Sequence, residues 1–536
     1  MSSENTSSDI LLYNGTFITQ DDTLPIATAL AIKGQRILWV GEQSESRAWI
    51  GPGTRVIDIK RAYGYPGFID SHAHILHRGK TLKFLNLQAM NKATLLQKIS
   101  SHARTCAPGE WIAGTGWDEA EWPHPRRPHA ADLDAIAPHN PVVLIRKDTH
   151  LIWANSSALK DCGIDAETPD PVGGIIERDR DGNPTGILLG KAIHLLYSRL
   201  PPLSLEQSEE LILEVLKECL QKGITMVHDA SVSDKEAEVY KFLASQNALK
   251  VRIYMMGAIR SLDDLSHFLQ PQTYSPFLEM RCLKLWMDGA LGSRGAALKK
   301  AYQDDASTNG LLYWNEADVF SVMEAAKSRG FQMAVHAIGD LANHQTLNLY
   351  EKLGVEALRW RIEHAQLLQP EDVSRFGQEG VIASMQPLHA IDDMPWIEER
   401  IGNQRCADQA FMWRDLLDTG AIIASGSDAP VADFNPLWGI HAAITRQDHQ
   451  GLPADGWYPK QKMTRNEAIK SYTLNAAYAC FRENELGSLT KGKLADIVIL
   501  PENLMTCDPK KLLDMQVIGT FVNGILAYSS GLNLRE

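Results

Sequence analysis

The sequence predicts an α/β protein built on a (β/α)8 barrel, and three observations carry that prediction. Eight short, nearly uninterrupted apolar runs recur between residues 68 and 425. Helix-like stretches separate most of them, and apolar strands alternating with helices imply a parallel sheet covered on both faces. The chain, at 536 residues, exceeds one ordinary domain and leaves room for a barrel of about 250 residues with additions.

The runs come in this order. Phe68-Ile69-Asp70 is first, then Thr225-Met226-Val227-His228, Val251-Arg252-Ile253-Tyr254 and Leu283-Lys284-Leu285-Trp286. Gln332-Met333-Ala334-Val335-His336, Trp360-Arg361-Ile362-Glu363-His364, Val381-Ile382-Ala383-Ser384 and Ala421-Ile422-Ile423-Ala424-Ser425 follow. Eight such strands suggest closure into a TIM-type barrel.

The spacing is uneven after the first run. Residues 77–221 hold no simple strand–helix unit and are rich in Trp, Pro and His, as in Gly116-Trp117-Asp118-Glu119 and Trp122-Pro123-His124-Pro125. They are expected to be an insertion covering the barrel mouth. Both chain ends carry hairpin signals: Asn14-Gly15 after Ile10-Leu11-Leu12-Tyr13, Lys33-Gly34-Gln35-Arg36, and Asn523-Gly524. Residues 1–65 and 480–536 are therefore expected to form a composite β-sandwich, with the barrel spanning 66–479.

Composition narrows the partners. A net charge of −13 argues against nucleic acid or anionic membrane. Cys106, Cys162, Cys219, Cys282, Cys406, Cys480 and Cys507 show no C-x-x-C spacing, which reads as reduced thiols in a cytoplasmic protein. The polar N-terminus lacks a signal-peptide pattern, and no run reaches 18 apolar residues. A small-molecule substrate is the expected partner, with a homodimer allowed.

Several runs end in a residue able to bind a metal. The first leads into Asp70-Ser71-His72-Ala73-His74, and in extended chain residues two apart point the same way. His72 and His74 can therefore grip one ion. The fourth carries Lys284, the fifth ends at His336, the sixth at His364, and the eighth leads to Asp428 in Ser425-Gly426-Ser427-Asp428. Active sites of this fold form at the C-terminal strand ends. Imidazole and carboxylate suit Zn²⁺ and its neighbours.

These blocks resemble the amidohydrolase superfamily. Pro66-Gly67-Phe68-Ile69-Asp70-Ser71-His72-Ala73-His74 looks like its opening strand. Gly116-Trp117-Asp118, His150-Leu151-Ile152-Trp153, Lys284-Leu285-Trp286-Met287-Asp288-Gly289, His336-Ala337-Ile338-Gly339-Asp340, Arg361-Ile362-Glu363-His364-Ala365, Gln386-Pro387 and Gly426-Ser427-Asp428-Ala429-Pro430 narrow the likeness to the amidohydrolase-3, YtcJ-like group.

The resemblance implies two divalent ions, Zn²⁺ by preference. His72, His74 and Asp428 would hold one, His336 and His364 the other, with Lys284 bridging as a CO2-derived carbamate. It implies hydrolysis of a non-peptide C–N bond, amide, N-formyl or related, by a metal-bridged hydroxide with Asp428 as general base and acid. A catalytically inactive regulatory protein on the same scaffold is the alternative. For substrate contact the sequence offers Trp117, which could line an apolar pocket with Trp122 and Trp153 or fill the insertion's own core. It also offers His150 and His228 as oxyanion donors or as plain structural residues, and Arg294 as a contact for a polar or anionic group or as a surface salt-bridge partner.

Overall fold

The computed structural model describes residues 7–124, 126–197, 199–200 and 202–532. Residues 1–6 of the polar N-terminal stretch, Pro125 of the Trp–Pro–His segment, and 533–536 lie outside the described residues. Eight parallel strands form the central sheet: β1 Phe68–Ala73, β2 Ile224–Val232, β3 Arg252–Ala258, β4 Leu278–Trp286, β5 Gln332–Ala337, β6 Arg361–His364, β7 Ile382–Met385 and β8 Ile423–Ser425. Each coincides with one of the eight apolar runs, and each pairs with its successor in parallel register.

The first and last strands meet through side-chain and loop hydrogen bonds. Asp428 donates its backbone N–H to the His72 carbonyl at 2.6 Å. Ser427 gives its N–H and hydroxyl to the Asp70 carboxyl at 3.0 and 2.6 Å. Gly426 permits this approach, because a Cβ there would stand 2.5 Å from the His72 nitrogen. The sheet is thereby a nearly closed barrel.

Alternation along the strands separates inside from outside. Met226, Tyr254, Cys282 and Ala334 join Ile69 in one buried cluster inside the barrel. Their neighbours Val227, Ile253, Leu283 and Val335 belong to a second core shared with the surrounding helices. Two residues beyond the inward set, the same alternation brings His228, Lys284 and His336 inward near the strand ends. Helix Leu205–Gln221 starts on a reciprocal cap between Ser204 and Gln207. It falls within the stretch read from sequence as insertion, yet it buries Leu211, Val215 and Leu216 in the outer barrel core with Phe68 and Val227.

Two further sheets unite the chain ends. Ile10–Tyr13, Ala29–Lys33, Arg36–Gly41 and Arg55–Asp58 make a four-stranded sheet. In the six-stranded one, Ile497–Leu500 pairs with Tyr63–Pro66, placing Val498 opposite Tyr65. Leu12, Leu30 and Ile57 from the first sheet pack with Ile497, Ile499 and Phe521 from the second, so the two are faces of one sandwich. The hairpins at Gly34-Gln35 and Asn523-Gly524 form as expected. Asn14-Gly15 does not make a hairpin: its flanking strands enter different sheets, and the turn carries the chain from one face to the other.

A six-stranded sheet lies between β1 and β2 in the chain, ordered Gly174–Arg178, Pro184–Gly190, Leu151–Ala154, Val142–Arg146, Ile112–Trp117 and Leu85–Asn86. It touches the barrel loops where Arg127 donates to the Ser293 carbonyl at 3.4 Å and Lys147 pairs with Asp392 at 3.4 Å.

Candidate metal centre

Six residues from five barrel strands and their loops meet at the C-terminal end of the barrel. The Asp428 Oδ1 lies 3.0 Å from His74 Nε2 and 3.4 Å from His72 Nε2. Lys284 Nζ lies 3.4 Å from the same His72 nitrogen. The ring centroids of His72 and His364 are 4.9 Å apart, and those of His364 and His336 4.5 Å. All but His74 are buried. Asp428 and His364 have left-handed backbone, with φ of 58° and 74°, a conformation uncommon outside glycine and found at functional sites. It turns both side chains off their strand directions and into the shared space.

A surrounding layer of hydrogen bonds decides which nitrogen of each ring is free. His72 Nδ1 contacts the buried Glu363 carboxylate, leaving Nε2 for the centre. His364 Nδ1 pairs with Gln386 Oε1 at 2.7 Å, again leaving Nε2. His336 directs Nε2 to the Gly289 carbonyl at 3.4 Å, leaving Nδ1. Metal-binding histidines are oriented this way, by giving their other N–H to a carboxylate, amide or carbonyl oxygen. Arg361 backs the arrangement: its Nε donates to Glu363 at 2.5 Å, and its Nη2 reaches both the Ser71 carbonyl and the Ser384 hydroxyl at 2.6 Å.

The charge states agree. Burial opposes ionisation of Glu363, but the guanidinium of Arg361 and the His72 contact outweigh it and hold the carboxyl well below its usual range. Burial likewise opposes ionisation of Asp428, but the adjacent His72 and His74 rings outweigh it and hold the carboxyl well below its usual range. Burial keeps His336 and His364 well below the ordinary imidazole value, so both are neutral with a lone pair to give. Burial also brings the Lys284 amine down to about 8, against the pull of Glu363 and Asp428. Neutral imidazoles with converging lone pairs, an ionised carboxylate and a buried amine fit a centre for divalent ions with nitrogen and oxygen ligands.

Two groups of donor atoms lie within 4.8 Å of one another among the described residues: His72, His74 and Asp428, and His364, His389 and Asp428. His389 was not singled out in the sequence. The signal was two residues away, in the Gln386-Pro387 block that opens its helix, Pro387–Asp393.

The other sequence-derived contacts divide. His150 reaches the centre from the insertion, its ring 5.0 Å from His336 and its Nδ1 3.2 Å from the Tyr313 hydroxyl. Trp117 does not line a pocket: it is fully buried among Trp122, Trp153 and Leu144, with its N–H on the Leu144 carbonyl at 3.0 Å. Of the two roles the sequence left open, it fills the insertion's core. His228 is wedged against Tyr254 and takes the Arg361 N–H on Nδ1 at 3.0 Å, so it is part of the supporting layer. Arg294 is committed to Asp304 by two contacts of 3.3 and 2.7 Å, which removes it as a substrate anchor. Asp288 organises loops, accepting N–H groups of Ala297, Ile338 and Gly339 at 2.8–3.0 Å.

Comparison with known proteins places this geometry in a family. The amidohydrolase family model matches residues 55–528. The Arabidopsis thaliana protein LONG AFTER FAR-RED 3 is 35% identical over 97% of this chain and 91% of its own length. N-substituted formamide deformylase of Arthrobacter pascens is 29% identical over 97% of this chain and 98% of its own. Among solved structures, an uncharacterized metal-dependent hydrolase from Pyrococcus horikoshii superposes with a TM-score of 0.76 at 27% identity, covering 93% of this chain and 99% of that one. Barrel, converging donors and matched length lead to one conclusion: the chain belongs to the amidohydrolase family, hydrolases of carbon–nitrogen bonds other than peptide bonds.

Proposed function

We propose that this protein hydrolyses the C–N bond of a small amide, with N-formyl and other N-acyl amines as the leading substrate class. The observation that carries the proposal is the tautomer pattern: Glu363, Gln386 and the Gly289 carbonyl leave His72, His364 and His336 each with one nitrogen facing the same space. The likeness to a formamide deformylase over nearly the full chain supports the N-formyl class.

His72, His74 and Asp428 would hold one divalent ion and His336 and His364 the other, zinc being the ion such donors suit. When bound, such ions lower the pKa of a coordinated water and polarise a carbonyl. Lys284 would add oxygen ligands to the centre once carboxylated. Its neutral amine adds to CO2, forming a C–N bond and releasing one proton, and the carbamate presents two oxygens where an ammonium would be repelled. The low amine pKa of about 8 favours that reaction.

The chain's own residues do the rest. Asp428 takes the proton of the attacking water and hands it to the nitrogen that leaves, so one carboxylate serves as base and then acid. His150, at the rim beside Tyr313, is placed to contact the part of the substrate outside the scissile bond. The buried walls exclude bulk water and strengthen each of these interactions. All seven cysteines are unpaired thiols, which suits a reducing compartment, and we place the protein in the cytosol.

An inactive regulatory scaffold would be expected to have lost part of this set, yet His72, His74, Lys284, His336, His364 and Asp428 are all present and together. The test is metal analysis of the purified protein followed by a screen of N-formyl and N-acyl amines with Zn²⁺ and bicarbonate supplied. Release of amine at metal-dependent rates is expected. No turnover of any member by fully metal-loaded protein would favour the regulatory alternative.

A further inference from the structure

Nε2 of His389 is a buried polar atom with no hydrogen-bond partner among the described residues. Leaving such a group unpaired is costly, so a site that keeps one open has a use for it. The residue as a whole is 8% exposed. Its ring stacks on His364 at 5.9 Å and 11°, which fixes the direction of Nε2. That atom faces Asp428 Oδ2 at 3.7 Å, too far for a hydrogen bond between them. The two oxygens of Asp428 thus have different neighbours: Oδ1 faces His72 and His74, whereas Oδ2 faces His389.

With its N–H on Nε2 the ring presents a donor on the side of Oδ2, the Asp428 oxygen that His72 and His74 leave open. The gap between this donor and Oδ2 has the size of the reacting group. In a tetrahedral carbon bearing oxygen and nitrogen those two atoms are about 2.3 Å apart, given bonds near the usual C–O and C–N lengths. Set against a 3.7 Å base, they can each lie about 2.9 Å from one partner.

We propose that His389 is a catalytic hydrogen-bond donor whose Nε2–H holds the substrate's carbonyl oxygen, and the oxyanion it becomes, while Asp428 Oδ2 faces the leaving nitrogen. The proposal rests on the amide-hydrolase reading above. Water adds its oxygen to the carbonyl carbon and its proton goes to Asp428. The C–N bond then breaks, its electron pair stays on nitrogen, and nitrogen takes that proton from Oδ2. His389 keeps its own proton throughout, so it neither joins the metal centre nor acts as the base. It takes the oxyanion role for which the sequence had offered His228 and His150.

The test compares the metal-loaded wild type with His389→Phe, which fills the ring's space without a donor, and His389→Gln, whose amide N–H can reach the same point. Metal per chain, kcat and KM for an N-formyl amine, and the Kd of acetohydroxamate are measured for each. Expected are unchanged metal content, a kcat loss of about 100-fold or more in His389→Phe with KM changed far less, and recovery to within about 10-fold of wild type in His389→Gln. Acetohydroxamate should bind at least tenfold more weakly to His389→Phe and regain affinity in His389→Gln. Should the wild type turn over no amide, the hydrolase reading falls, and the hydroxamate affinities still decide the donor: a weakening that Gln restores supports it, and three equal values overturn it. Loss of a metal ion from His389→Phe would make the residue a ligand and overturn the proposal, as would an undiminished kcat.

Discussion

Asp428 gives its backbone N–H to the carbonyl of His72 at 2.6 Å, and its side-chain Oδ1 stands 3.4 Å from Nε2 of the same histidine. One residue therefore both closes the barrel between β8 and β1 and supplies the carboxylate of the centre. The geometry that makes the fold continuous also sets the distance between His72, the proposed ligand, and Asp428, the proposed base.

Asp428→Asn tests that double role. The amide keeps an oxygen and the backbone bond but cannot carry a proton at neutral pH. Metal content should stay near that of the wild type while kcat falls by about 10²–10⁴. Metal analysis and steady-state kinetics on the same preparation check it; near-normal turnover would rule out the proton role.

Glu363→Gln should loosen metal binding without touching a ligand. Glu363 sets the tautomer of His72 and neutralises the buried Arg361. Losing such a supporting carboxylate typically costs about 10–100-fold in metal affinity. Leaving the guanidinium under-compensated should lower stability by about 3–5 kcal/mol. Chelator competition and chemical denaturation read the two effects, and an unchanged chelator curve would show that packing alone holds His72.

Lys284→Ala should abolish turnover, and short carboxylic acids such as acetate or propionate should restore a part of it by supplying the missing oxygens. Activity is followed across an acid titration. If no acid restores rate while the variant stays folded, the carbamate assignment fails.

Trp117→Phe should leave KM within about twofold of wild type, because the indole faces the insertion's core. It should cost on the order of 1 kcal/mol for the lost hydrogen bond to the Leu144 carbonyl. A tenfold rise in KM would return Trp117 to the substrate pocket.

His441, remote from the centre and 2% exposed, is brought down to about 4 by burial. The unfolded chain takes up that proton near pH 6.5. Between those values the unfolded state binds more protons, so stability falls as pH drops through this window, by about 2–3 kcal/mol in all. His441→Asn cannot titrate and should show a flatter fall of denaturation midpoint between pH 6.5 and 4. Parallel curves would show that other groups carry the acid limb.

Much of the barrel was legible because strand burial leaves a local mark. Most of the eight strands are rich in apolar residues, and alternation along them tells which residues turn inward. The histidines at strand ends were legible for the same reason, since their positions follow from the strand and its last inward residue. His389 was not, because it lies on a short helix after β7 rather than in a strand. Arg294 stayed open between a substrate contact and a salt bridge because its partner, Asp304, is chosen by loop folding. Asn14-Gly15 misled for a similar reason: a turn signal shows where the chain bends, not which sheets its two arms join.

The sequence by itself determined the strands, the barrel and the identity of the six converging residues, because these depend on periodicity and residue type along short stretches. Only the tertiary structure decided which nitrogen of each histidine is free, which oxygen of Asp428 faces His389, and whether a tryptophan lines a pocket or fills a core. Those outcomes depend on angstrom-scale contacts between groups hundreds of residues apart, such as His72 with Glu363, and such contacts exist only once the strands have closed around them.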